Sequence, residues 1–497
     1  MRPYFLLDAS PSAVSSCERT AAVIGKYIVE GETLLKAVYC SKYYGVALFR
    51  SGRLVLLAPD SPERHGTVIE GGDGHVRDVA AGDTHIVFCK EDGTVYSFGY
   101  SNKHGQLGDG TVWRNLPFEQ ETHATDGSDA GEKRELPRLS SPQMIIGFGG
   151  GMDGVEGHVL NGKLLQVPVV AVACGAFHTL LLTSLRNCVY ACGLGVSGQL
   201  GGRRRPVLQP TFKSIRLLFG LTIRQIAAAG NHSFVLLQTG KLFAFGENLC
   251  GQLGFGSVKA VHTPRAVAFS GAVPSVEMRR PLDSSVFKSL RAAWGSAESM
   301  YFPLRVERLS PERDPNEPFI VSVWCCPTRT VLLTRTMEWL SCGLAISRGP
   351  CEIKAPTMRM DRYGPLGRWI ERKEEATSFR KMQWSESVAA ALKGVVPPIP
   401  LEESLMDEVL CALHVKCSNN AVVLLIRSSG ESQPSHLFVQ GETPGVFLVD
   451  EDGRTPLSPA PRADKLLHDH EVDDDAAEFF LTEAQGIFAS EAFMAIM

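Results

Sequence analysis

Three histidines, His85, His178 and His232, stand at the same place in three copies of one pattern, and a hydroxyl residue (Thr179, Ser233) directly follows two of them. Histidine is a common general acid or base, so each is a candidate catalytic group. Their recurrence argues against that role. A reaction centre is built once, whereas a side chain that can both donate and accept a hydrogen bond serves every copy of a structural repeat. We read the three as ties within the fold. The 13 cysteines lead to a similar end: Cys174, Cys188, Cys192, Cys325, Cys326, Cys342, Cys411 and Cys417 sit in apolar strand-like runs, and no Cys-x-x-Cys occurs. Cys188 and Cys192 share one expected strand, which separates them by roughly 13 Å, too far for a common metal. They are expected to be reduced thiols packing as small apolar groups. The chain has no Gly-Lys-Ser/Thr phosphate loop, no His-Glu-x-x-His and no Gly-x-Ser-x-Gly. "GFGGGMDG" (Gly147–Gly154) reads as a loop, and "HDHE" with "DDD" (His468–Asp475) as a solvated acidic stretch rather than a metal site. No catalytic residue, metal or cofactor is expected.

The elements that carry the histidines repeat too. In Val170–Thr183 an alternating apolar segment leads to Cys174-Gly175, then to His178 and a second apolar run. A polar turn and the strand Cys188–Cys192 follow, and then the link "GLGVSGQLGG". The same order occupies Asp78–Gly108, with Gly82 and His85, and Ile223–Gly254, with His232, Gly246, Gly251, Gln252 and Gly254. Asp92-Gly93 and Thr239-Gly240 supply the positive φ that tight hairpins need. Each unit reads as four short antiparallel strands, which is one propeller blade. Weaker copies lie at Ala37–Ala58, Phe319–Gly343, Leu413–Gly441 and, most faintly, Leu290–Phe302, giving seven units.

The order of glycine, histidine, hairpin and Gly-Gln-Leu-Gly, three times over, resembles the regulator of chromosome condensation (RCC-type) repeat. The resemblance implies an all-β fold, a seven-bladed β-propeller. It also implies ring closure by strands from both ends of the chain; Tyr4–Leu7 or Lys26–Val29 would pair with Val446–Val449. The glycines of the link would then let the chain turn between the third and fourth strands and let neighbouring backbones approach. Leu253 would be an apolar plug and Gln252 a backbone hydrogen-bond partner. The expected organisation is an N-terminal segment 1–33, a propeller 34–460 with insertions near 112–165 and 344–404, and an acidic tail 461–497 with an amphipathic helix.

The 497 residues are 44% apolar and 21% charged with a net charge of −4, so the chain is globular and no general polyanion binder. Two segments remain as interaction candidates. One interleaves Arg359, Arg362, Arg368, Arg372, Lys373, Arg380 and Lys381 with Tyr363, Trp369 and Trp384, a mixture that suits a protein hot spot better than nucleic acid because Glu371, Glu374 and Glu375 dilute it. The other is the acidic tail. The leading expectation is a non-catalytic scaffold for protein partners. The alternative that the resemblance implies is guanine nucleotide exchange on a Ran-like small GTPase; chromatin binding is disfavoured because no basic N-terminal tail is present. No apolar run reaches the ~18 residues of a membrane span. With no secretory signal, the expected place is the cytoplasm or nucleus; Arg2, Arg19 and the nearby serines would also suit a mitochondrial leader, against which Asp8 and Glu18 count.

Overall fold

The computed structural model describes residues 34–113 and 135–269 with short interruptions, 317–344, 376–382, a few positions in 23–32, residue 410, and the separate strands 4–6, 118–120, 413–417, 421–426, 435–441, 446–449, 456–459 and 470–472. The described residues form antiparallel sheets whose strands follow one another in chain order. Sheet 1 comprises Leu34–Cys40, Tyr44–Phe49 and Leu54–Leu57, with Val68 bridging its outer edge. Sheet 2 is Val76–Ala81, His85–Lys90, Val95–Gly99 and Gln143–Met144; sheet 3 is Val169–Cys174, His178–Thr183, Val189–Leu194 and Leu208–Ser214. Sheet 4 is Ile223–Ala229, His232–Leu237, Leu242–Gly246 and Val261–Ala266. Sheet 5 is Ile320–Cys326, Arg329–Thr334, Trp339–Gly343 and Ala376–Lys381; sheet 6 is Leu413–Cys417, Ala421–Ile426, Ser435–Gly441 and His470–Val472. A further three-stranded sheet pairs Tyr4–Leu6 with Val446–Val449, and the latter with Pro456–Pro459.

The second strand of sheets 2 to 5 is buried along its whole length. This explains why "TLLLT", "FVLL" and "TVLLT" lack the alternation of a half-exposed strand: both faces are covered by neighbouring sheets. Accordingly each apolar cluster belongs to a seam. Val79, Phe88 and Phe98 meet Tyr44, Val46 and Leu56 between sheets 1 and 2. Val87 and Cys89 meet Val172, Leu181 and Cys192 between sheets 2 and 3. Leu180, Leu182 and Val189 meet Ile226, Val235 and Phe243 between sheets 3 and 4, and Phe234, Leu236 and Leu253 meet Ile320, Val323 and Leu332 between sheets 4 and 5. Burying each such side chain contributes about 1.5–3 kcal/mol.

Some expectations change. Sheet 4 packs directly on sheet 5, and the faint unit expected at Leu290–Phe302 lies outside the described residues. Five sheets of four strands are present among the described residues, and the count of seven blades is not established by them. The segment 344–404 is also not wholly an excursion. Ala376–Lys381 pairs with Trp339–Gly343 as the outer strand of sheet 5. Likewise Gln143–Met144, inside the first expected insertion, is the outer strand of sheet 2. Of the acidic tail, His470–Val472 is a strand on Ser435–Leu437; the expected helix lies outside the described residues.

Candidate functional site: clasps between neighbouring sheets

The repeated residues converge on the seams. The link after the third strand makes a compact loop in which glutamine folds back on its own backbone. Gln106 Oε1 accepts from His104 N at 3.0 Å, Gln199 from Ser197 N at 2.9 Å and Gln252 from Cys250 N at 2.9 Å. In two of the links an asparagine closes the loop from the other side: Leu107 N donates to Asn102 Oδ1 at 3.0 Å and Leu253 N to Asn248 Oδ1 at 2.8 Å. The glutamines and leucines are buried.

The loop then lies against the outer strand of the next sheet. Gly105 and Gly251 have φ of 71° and 73°, and a Cβ on either would sit 2.5 Å from Pro210 Cα or 2.7 Å from Thr377 Cα. Gly198 approaches His262 of sheet 4 in the same way. These contacts identify Pro210, His262 and Thr377 as equivalent positions on three outer strands. Gly108 and Gly254 lie under the rings of Phe212 and Phe379. At the opposite end of each seam, the hairpin glycine passes its carbonyl to the next first strand: Val76 N to Gly52 O at 3.0 Å, Val169 N to Gly93 O at 3.1 Å and Ile320 N to Gly240 O at 3.2 Å. The described non-glycine residue with positive φ, Met337 at 59°, occupies the same hairpin position in sheet 5.

The histidines complete the clasp. Thr179 Oγ1 donates to the carbonyl of Gln106 at 2.8 Å, and His85 Nε2 meets the same hydroxyl at 2.9 Å. Because the hydroxyl proton is committed to the carbonyl, His85 Nε2–H must be the donor, which assigns its tautomer. Ser233 repeats the arrangement, donating to Gln199 O at 2.9 Å and receiving His178 Nε2 at 2.9 Å. The ties thus run between sheets rather than within one. Burial holds His85, His178 and His232 down to about 3, so all three are neutral near pH 7.

The clasp has a steric condition. A Cβ on Gly82 would lie 2.2 Å from Cε1 of His85, and one on Gly175 2.1 Å from Cε1 of His178. The imidazole therefore needs a glycine three residues earlier. In sheet 4 that position is Ala229, paired with His232. There His232 stands edge-on to Phe234, and neither of its ring nitrogens has a hydrogen-bond partner. In sheet 5 the position is Cys326, and Arg329 replaces the histidine, its guanidinium donating to Leu344 O through Nε at 2.8 Å. Thr330 still donates to Gln252 O at 2.8 Å. Near the starts of the first strands, polar side chains brace neighbouring sheets. Asp78 accepts Lys36 Nζ at 2.8 Å and Val172 N at 3.0 Å, joining sheets 1, 2 and 3. Gln225 donates to Val323 O at 2.8 Å and accepts from Ser322 Oγ and Val323 N.

The cysteines behave as packing groups. Among the described residues all are free thiols, and burial pushes Cys174 and Cys188 up to about 12. Cys192 and Cys342 lie against the Gln106 and Gln252 carbonyls at 3.5 and 3.2 Å. No group of three or more metal-ligating side chains occurs among the described residues. Of the basic and aromatic candidates, Arg380 and Lys381 lie exposed on the outer strand of sheet 5, where Lys381 pairs with Glu338 at 2.6 Å. Arg359, Arg362, Tyr363, Arg368, Trp369, Arg372, Lys373 and Trp384 lie outside the described residues. Sequence reasoning missed Thr179, Ser233 and Thr330 as the hydroxyl halves of the clasp; their signal was the Ser or Thr that follows the histidine position.

Sheets packed face to face in chain order, with link loops clasping sheets 2 to 5, define a β-propeller. The family model described as "Regulator of chromosome condensation (RCC1) repeat" matches residues 76–106, 169–199 and 223–252, which are the three clasp-bearing units. The chain carries RCC1 repeats over these residues. It is 34% identical over 201 residues to the probable E3 ubiquitin-protein ligase HERC4 of Rattus norvegicus, covering 38% of this chain and 19% of that protein. It is 30% identical over 218 residues to the mitochondrial RCC1 domain-containing protein RUG3 of Arabidopsis thaliana, covering 39% of this chain and 46% of the relative. The chain therefore spans less than half of either relative. Among solved structures it is similar to human WBSCR16, with 17% identity, a TM-score of 0.44 and coverage of 83% of this chain and 77% of that one. No helix among the described residues is long and apolar enough to cross a membrane.

Proposed function

We propose that the chain is a non-catalytic scaffold: a propeller whose repeated polar residues lock the sheets together while its insertions meet protein partners. One observation carries this reading. The residues best suited to chemistry, His85 and His178, are fully buried, neutral and bonded to the neighbouring sheet. Recognition then falls to the loop insertions, above all the basic and aromatic stretch within 345–375. The basic and aromatic side chains of 359–373 suit a protein hot spot.

The test is affinity purification of the tagged chain from its native cell, with and without residues 345–375. The deletion spares Ala376–Lys381, which sheet 5 needs. A stable set of proteins lost with the deletion is the expected result. Recovery of a small GTPase, with release of its bound nucleotide by the purified chain, would replace the scaffold reading with nucleotide exchange.

A further inference from the structure

The start of the outer strand of sheet 3 is unusually apolar for a surface. Val207 is 64% exposed, Val196 51%, Val112 50% and Leu208 39%. They adjoin one another through the backbone. Gly195 N donates to Val207 O at 3.0 Å, Leu194 pairs with Leu208, and Gly110 N donates to Pro210 O at 2.9 Å. The links of sheets 2 and 3 therefore flank the strand and bring Val112 and Val196 beside Val207 and Leu208. The equivalence of Pro210, His262 and Thr377 makes a comparison possible. On sheet 4 the places of Val207 and Leu208 are held by Lys259 and Ala260, both exposed. The same corner carries a charged side chain there and two large apolar ones here, which marks a contact surface.

Basic residues are close to it in the chain. Arg203, Arg204 and Arg205 immediately precede Pro206 and Val207 in the chain, and Lys213 and Arg216 lie exposed further along. Asp109, the carboxylate of the adjoining link, is already engaged by Thr111 N at 2.9 Å and by its hydroxyl. The fitting occupant is acidic and apolar at once. Residues 473–497 have that chemistry: Asp473, Asp474, Asp475 and Glu478 lead into Phe479, Phe480 and Leu481, and the whole stretch holds no Lys or Arg. Their start is fixed, because Val472 pairs with Ser435 in sheet 6. From there 25 residues reach up to about 80 Å when extended.

We propose that 473–497 docks in cis on the Val196–Val207–Leu208 surface, its phenylalanines on the valines and its carboxylates toward Lys213 and Arg216. This stands apart from the scaffold reading, since it concerns the chain's contact with itself. The test places a photo-crosslinking p-benzoylphenylalanine at position 207 of the full chain, in an equal mixture of normal and 15N-labelled protein. Crosslinks to peptides within 473–497 carrying unmixed isotopes are expected. Mixed isotopes, which mean a second copy, crosslinks to any other segment, or none to the tail overturn the proposal. Hydrogen exchange is the second measurement. The amides of 479–494 should exchange at least tenfold more slowly than those of the free peptide 473–497, and Val207→Asp/Leu208→Asp should remove that protection. Free-peptide rates in the unaltered chain overturn the proposal whether or not the variant folds.

Discussion

The imidazole of His85 reaches across a seam to the hydroxyl of Thr179 at 2.9 Å, joining two residues 94 apart in the chain. That hydroxyl also holds the carbonyl of Gln106. One small side chain thus joins the second strand of sheet 3 to both the second strand and the link of sheet 2. The repeat can be understood as the set of residues that makes this three-way contact possible.

Replacing the hydroxyl by a methyl of the same shape measures it. Thr179→Val leaves His85 Nε2–H without its acceptor and the Gln106 carbonyl with only the weak Cys192 thiol, so a loss of about 2–3 kcal/mol is expected. Thr330→Val leaves the Gln252 carbonyl with only the Cys342 thiol and should cost about 1 kcal/mol. Urea unfolding of both variants checks this. Equal losses would show that the imidazole contributes nothing.

The glycine condition predicts coupling. Gly175→Ala places a methyl on the His178 ring and should cost about 2–4 kcal/mol. Gly175→Ala/His178→Ala should cost less than the sum of the single changes, because the ring that clashes is gone. Ala229→Gly should free His232 to swing toward Thr330. Its ring 15N shifts should then move to those of a hydrogen-bonded Nε2–H, whereas unchanged shifts would show that the methyl is not what keeps the ring unpaired.

Acid should open the fold. The three histidines titrate near 3 in the folded chain and near 6.5 when unfolded. Between those values the unfolded chain binds more protons, so stability is full above about pH 6.5 and falls as pH drops toward 3. Each histidine steepens the fall by up to about 1.4 kcal/mol per pH unit. Urea midpoints at pH 7.5, 6 and 5 should decline together, and His85→Gln should flatten the dependence.

The thiols should be silent. Cys174, Cys188, Cys192 and Cys342 are buried, and burial raises each of them. Iodoacetamide at pH 8 should leave them unmodified until denaturant is added, which mass spectrometry of the peptides reads directly.

How much was legible in the sequence follows from which strands carry a motif. The second and third strands and the link were readable because the clasp restricts their residues. Outer strands answer mainly to the link of the previous sheet, and the ring beneath a link glycine recurs in only two of those described, as Phe212 and Phe379. Ala376–Lys381 therefore passed for loop. The need for glycine before the histidine could not be seen from either residue alone, since only the folded ring position makes Ala229 an obstacle.

The direct seam between sheets 4 and 5 has a consequence for the covalent chain. Gln225 to Val323, Thr330 to Gln252, Ile320 to Gly240 and the Phe234–Leu332 core join the two sides without the peptide of 270–316. The molecule is therefore divisible at that point. Fragments 1–269 and 317–497, expressed together, should assemble as two pieces of one ring, and new chain ends placed there should be tolerated as natural termini are.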